Sequence, residues 1–119
     1  MNNSQFIDQT IEKLTKQNAY GYGDLVAAPY THMTSCLYRT PKGHSCAIGV
    51  WLTEDQAVNA DTLGLSATAV REEYPDIFNG VDPALMEAVQ LIHDHHAEMN
   101  LTMGECTVKL ATLKAIYPD

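Results

Sequence analysis

Cysteine and histidine side chains give this 119-residue chain its most versatile chemistry. Cys46 and His93 together suit a small Cys-His hydrolase, in which the thiolate attacks the substrate and the imidazole acts as the base. Such an enzyme also needs a carboxylate that orients the imidazole. Asp94 follows His93 directly, but on a helix it points about 100° away, so we expect it to face solvent and to be poorly placed to hold the His93 ring.

The same kinds of side chain could bind zinc. Cys36, Cys46, His93 and His96 supply thiolate and imidazole ligands, and two histidines three positions apart are neighbours on a helix. Nine residues separate the two cysteines, however, which is longer than the spacing of a zinc knuckle. A third interpretation is packing, because buried cysteines behave as small hydrophobes and buried histidines bond to neighbouring groups. The sequence leaves all three interpretations open.

Three further residues are candidates for binding a ligand or partner: Tyr38, Arg39 and Asp94. Arginine and tyrosine side chains suit an anionic group. The chain contains neither the phosphate-binding loop of nucleoside triphosphatases nor the glycine motif of dinucleotide-binding proteins. We therefore predict no cofactor, with zinc as the alternative.

A β-hairpin around residues 36–48 is the element that would bring the two cysteines together. Pro41 suits the second position of a turn, and Gly43 can adopt the left-handed conformation that closes it. In that register Tyr38 pairs with Cys46, and Cys36 points to the same face.

Capping residues and apolar spacing predict about five helices around this hairpin. They cover residues 4–18, 53–60, 66–73, 82–99 and 102–117, and the predicted caps are Ser4, Thr53, Ser66, Asp82 and Thr102. Residues 20–35 contain two glycines and a proline without clear periodicity, which predicts a long loop over a groove. The expected fold is α+β, a mostly helical single domain of residues 1–119 with one small hairpin.

The composition narrows the possible partners and the compartment. Fifteen acidic and seven basic residues give a formal net charge of −8, which disfavours nucleic acid and anionic lipid and favours a basic protein partner. The first residues lack the pattern of a secretory signal, and no long apolar run occurs, so we expect a cytoplasmic protein. Three cysteines, an odd number, argue against a disulfide framework.

The order of three short motifs resembles a family of small bacteriophage and prophage proteins. The residues are Cys36-Leu37-Tyr38-Arg39, then Gly43 with Cys46-Ala47-Ile48-Gly49, then Leu91 shortly before His93-Asp94. The resemblance implies a phage-related origin and assigns no catalytic or binding residues. We therefore expect an accessory protein that binds a macromolecular partner, for instance to inhibit a host or defence factor. The alternative is a small Cys-His hydrolase or zinc-binding protein that uses Cys46 and His93.

Overall fold

Helices build most of the structure, a computed structural model that describes residues 1–24 and 34–119. Between residues 36 and 54 the chain also forms a single 3₁₀ turn, Gly49–Trp51. In chain order the helices and strands are α1 (Asn3–Gln17), β1 (Tyr22–Asp24), β2 (Thr34–Cys36), α2 (Glu54–Leu63), α3 (Ala67–Glu73), α4 (Pro83–Glu98), α5 (Met103–Ala111) and α6 (Leu113–Ile116).

Helix α1 is closed by side chains at its start and by backbone conformation at its end. The Asn2 side chain accepts the Gln5 amide hydrogen, and the Gln5 side chain accepts that of Asn2. At the other end Asn18 is left-handed, with φ of 51°. The cap is therefore Asn2 and not the predicted Ser4. The residues that α1 buries are Phe6, Ile7, Thr10 and Leu14.

The other predicted helix starts are confirmed, because each depends on a local capping bond. The side chains of Thr53, Ser66, Asp82 and Thr102 each accept an amide hydrogen from the first turn of the helix that follows. The predicted last helix is divided at Thr112 into α5 and the single turn α6.

The predicted α+β class is wrong, and so is the β-hairpin around residues 36–48; the protein is all-α. The turn itself is present, since Gly43 has φ of 84° and the Thr40 N–H donates to the His44 carbonyl over 2.7 Å. The pairing does not continue beyond that bond. Among the described residues, extended structure is confined to an antiparallel ladder of three residues per strand, in which Cys36 pairs with Tyr22.

Competing hydrogen bonds explain why the turn does not extend into a hairpin. The Tyr38 and Arg39 amides donate to the two carboxylate oxygens of Asp61, over 2.8 and 3.2 Å. On the other side of the turn, the Cys46 carbonyl accepts the Val50 amide hydrogen, which turns the chain helically. These groups are not free for cross-strand bonds. Residues 25–33 of the predicted loop lie outside the described residues.

An aromatic cluster holds α1 against the 3₁₀ turn. The Phe6 ring stacks on Trp51 at a centroid distance of 5.5 Å, and Phe78 meets Phe6 edge-on at 6.3 Å. The indole N–H of Trp51 donates to Thr10 Oγ1 over 3.0 Å. Because the 3₁₀ turn comes shortly after Cys46, this cluster also fixes the segment that carries the cysteine. Within the described ranges, no helix is long and apolar enough to cross a bilayer.

Candidate functional site

His93 is completely buried on α4, and both of its ring nitrogens have partners. The Gly21 N–H donates to Nε2 over 3.1 Å, so the ring hydrogen lies on Nδ1 and is donated to Asp94 Oδ1 over 2.9 Å. Gln90 donates to the same Asp94 oxygen over 2.8 Å. The expectation that Asp94 is poorly placed to hold the His93 ring is therefore wrong; the two donors engage its carboxylate, and its side chain is 31% exposed.

Cys46 is also buried, with 1% of its surface exposed. Burial raises the pKa of its thiol to about 12, although hydrogen bonds from the Gly49 and Ile48 amides act in the opposite direction. The Gly49 N–H lies 3.4 Å from Sγ, as expected for a turn that follows the cysteine. Desolvation outweighs these donors, so the thiol stays protonated at neutral pH.

Gly21 is the residue that links Cys46 to His93. A Cβ at Gly21 would lie 2.0 Å from the Cys46 backbone nitrogen, so the two backbones touch where the Gly21 N–H reaches the His93 ring. Tyr20 packs edge-on against this ring at 5.3 Å and hydrogen-bonds to the Leu101 carbonyl. With Nε2 engaged by an amide and the thiol protonated, this arrangement holds no activated nucleophile.

The structure does not join Cys46, His93 and His96, the three predicted zinc ligands whose side chains it describes, into one site. His96 is 9% exposed, and its Nδ1 lies 2.8 Å from the Ile92 carbonyl, a bond to its own helix. Among the residues the structure describes, no three His, Cys, Asp or Glu side chains are placed to hold a metal ion. The side chain of Cys36 lies outside the described residues, so zinc binding by the full set of four stays an untested prediction.

The three predicted binding residues have different environments. Tyr38 is 9% exposed, and its hydroxyl donates to the Leu65 carbonyl; burial raises the pKa of this phenol. Asp94 is occupied by its bonds to His93 and Gln90. Arg39 lies at the surface, with its guanidinium beside Gly43. Of the three, Arg39 is the one beside open concavities.

Arg39 separates two adjoining grooves. One, of about 540 Å³, runs from the turn to α2 and includes Lys42 and Glu54. We call the other the basic groove: it has a volume of about 340 Å³ and lies between α1 and residues 43–52. Lys13 and Lys16 line the basic groove together with Arg39. Sequence reasoning missed both lysines.

A different concavity, of about 640 Å³, involves α4 and α5. Exposed apolar side chains mark this region: Val108 lines the groove and is 70% exposed, and Met99, three positions after the lining residue His96 at the end of α4, is 60% exposed. We call these residues and the groove the α4–α5 surface. The lining of this groove includes His96, Glu105, Val108 and Lys109.

Comparison of the chain with protein-family models, with curated proteins and with solved structures finds no match. The resemblance to phage and prophage proteins stays a prediction from three short motifs.

Proposed function

We propose that this protein is a phage or prophage accessory protein that binds a protein of the bacterial host and does not act as a catalyst. The observation that carries the proposal is the α4–α5 surface, where Val108 lines a groove and is largely exposed and Met99, close to the lining residue His96, is largely exposed as well. Large apolar side chains grouped at a groove are typical of interaction sites. The phage origin rests on the motif resemblance alone.

The environment of Cys46 and His93 supports binding over catalysis. Both side chains are buried, and the hydrogen bond from the Gly21 amide to His93 connects segments that are 72 positions apart. A thiol whose pKa lies near 12 contributes almost no thiolate at neutral pH. Buried, hydrogen-bonded and without a thiolate, Cys46 and His93 are in an environment that agrees with a role in packing.

Charge indicates the chemistry of the partner. Residues 54–119 contain twelve acidic and three basic residues, and two of these three bases are engaged: Lys114 pairs with Asp8, and Arg71 donates to a carbonyl. Glu98 and Glu105 are exposed on α4 and α5, and among the described residues Lys109 is the one lysine or arginine that lines the groove. The partner segment is therefore basic and amphipathic, with an apolar side chain for the groove and flanking lysine or arginine.

One observation favours a Cys-His hydrolase as the second candidate. The 2.9 Å bond between Asp94 and His93 Nδ1 is the bond by which a carboxylate orients a catalytic imidazole. For this bond to serve catalysis, Gly21 would have to release Nε2 and the Cys46 thiol would have to ionise.

Affinity purification with matched variants tests the proposal. Tagged protein is incubated with bacterial lysate, and the retained proteins are quantified by mass spectrometry. Val108→Lys places a charge in the groove, whereas Val58→Lys makes the same change at a 52% exposed valine of α2. We expect a basic host protein that is retained by wild type and by Val58→Lys, is lost with Val108→Lys, and binds more weakly at high salt. Undiminished retention of that protein by Val108→Lys would refute the proposed surface.

A further inference from the structure

The basic residues of this acidic protein are concentrated in one region. Residues 1–53 contain four basic and three acidic residues, and all four bases line the two grooves beside Arg39. They are Lys13, Lys16, Arg39 and Lys42. The rest of the chain is strongly acidic, as described above. A positive concavity on a negative molecule attracts small anions locally while the whole molecule repels extended ones.

The basic groove brings together cations from two parts of the chain. Lys13 and Lys16 come from one face of α1, because residues three apart are neighbours on a helix. Arg39 comes from the turn on the opposite side. The side chains that the structure places along this groove include none that is acidic. Two carboxylates lie in the surroundings: Glu12 lines a separate depression together with the two lysines, and Glu54 pairs with Arg39.

The walls of the basic groove are fixed by hydrogen bonds. Gln17 on α1 accepts the Ser45 amide hydrogen over 2.9 Å and donates to the Ser45 carbonyl over 2.8 Å. Asp61 holds the Arg39 amide, as described above, and Arg39 lies beside Gly43. The two cationic walls therefore have a set separation before any ligand arrives, which favours binding.

The cations of the groove are available to a ligand. Within the described ranges, Arg39 makes an ion pair with Glu54 at 3.9 Å, and Glu54 is 73% exposed, so the pair is weak. The Lys13 ammonium lies 4.8 Å from the Trp51 ring centroid, a contact that keeps it near the groove and leaves its donors free for an anion. In the same described ranges, neither Lys13 nor Lys16 is part of an ion pair.

We infer that the basic groove binds the phosphate group of a small phosphorylated molecule. Three cations match a phosphate dianion, and the arginine fork can bond two of its oxygens. A volume of about 340 Å³ is at the lower end for small-molecule sites. A nucleic acid would extend past the groove into the negative field of the remaining surface. The site lies on α1 and the turn, so it is independent of the α4–α5 surface.

Nuclear magnetic resonance titration of the whole protein tests this inference. The probes are inorganic phosphate, glucose 6-phosphate and ATP, with glucose, adenosine and a single-stranded oligonucleotide for comparison. At low ionic strength we expect saturable shifts of the Lys16, Gly43 and Ser45 amides with dissociation constants of about 1 mM or below. Glucose and adenosine should cause none. Binding of all three phosphates would show that the phosphate alone is recognised, and binding of ATP alone would show that the source is a nucleotide; both outcomes support the site.

Matched variants separate the groove from general electrostatics. Lys16→Met and Arg39→Met should each weaken binding roughly tenfold, since each removes a charge-assisted hydrogen bond. Lys114→Met removes the same charge from a lysine paired with Asp8 and should leave the affinity unchanged. Any of three results would overturn the inference. These are an equal loss of affinity in all three variants, absence of saturable phosphate binding, and binding of the oligonucleotide without binding of the small phosphates. The melting temperature of each variant shows that the fold is retained.

Discussion

At the scale of single residues, chemistry here depends on which atoms the fold has already engaged. Helical spacing places His93 at the edge of the apolar face of α4, and the cysteine-histidine combination is compatible with a hydrolase, a zinc site or packing. Spacing cannot reveal that Gly21, 72 positions away, donates to Nε2. Nor can it show that burial keeps the Cys46 thiol protonated. Candidate chemical groups could be identified from the sequence, whereas their protonation and availability depend on long-range packing.

Thiol reactivity gives a residue-scale prediction. With a pKa near 12, on the order of one Cys46 thiol in 100,000 is ionised at pH 7. Burial raises the pKa of Cys106 to about 11, and this thiol is fully buried as well. We expect both cysteines to resist a thiol reagent in the native protein and to react after unfolding, as followed by mass spectrometry of the modified peptides. Fast, selective modification of native Cys46 would favour the hydrolase instead.

Removal of the Cys46 sulfur should have a small effect on stability. Cys46→Ala deletes one buried atom from a packed site, and we expect the free energy of unfolding to fall by about 1 kcal/mol. Urea denaturation measures this change. A loss several times larger would mean that the hydrogen bond from Gly49 and the contact with Gln90 contribute more than packing does.

At the scale of elements, capping and turn residues predicted four of the five helix starts and the turn, whereas the predicted pairing of strands was wrong. The helix starts at Thr53, Ser66, Asp82 and Thr102 follow from a side chain and an amide within one turn, so the sequence alone reveals them. The turn closed by Gly43 is equally local. The hairpin prediction failed because Asp61, more than twenty positions away, accepts the amides that the strands would have used.

The backbone crossing at Gly21 gives an element-scale prediction. In Gly21→Ala the new methyl group would lie 2.0 Å from the Cys46 nitrogen, and backbone atoms cannot rotate away. We expect the free energy of unfolding to fall by about 3 kcal/mol. Gly104→Ala is the control, because its nearest neighbour is 3.8 Å away and alanine favours helix; it should be neutral or stabilising by about 0.5 kcal/mol. Equal stability of the two variants in urea would contradict the tight crossing.

The end of the chain and the start of α1 give a pH-dependent prediction. The Ser4 N–H donates to Asp119 over 2.8 Å, and this bond is the main reason why the pKa of Asp119 is lowered. Because the folded pKa lies below the unfolded one, the bond persists at neutral pH and is lost as the pH falls through the lowered pKa. The chemical shift of the Ser4 amide hydrogen should titrate with a midpoint below the ordinary aspartate value. Asp119→Ala should abolish that titration. A midpoint at the ordinary aspartate pKa would contradict the prediction.

At the scale of the whole molecule, charge segregation is the feature that composition conceals. A net charge of −8 suggests a uniformly acidic surface, yet counting charges before and after residue 53 reveals a slightly basic first part. That signal was present in the sequence and would have directed attention to Lys13 and Lys16. The sequence could not show that the two lysines lie in one groove with Arg39, because this depends on how α1 packs against residues 43–52.

We propose that this protein functions by binding through the α4–α5 surface and does not use Cys46 chemically. The most direct test is the affinity of the captured host protein for purified Val108→Lys and Cys46→Ala variants, measured by titration calorimetry against wild type. We predict that Val108→Lys weakens binding at least tenfold, while Cys46→Ala binds as wild type does and keeps the biological effect in the host. Wild-type binding by Val108→Lys, together with loss of the biological effect in a stably folded Cys46→Ala variant, would contradict the claim.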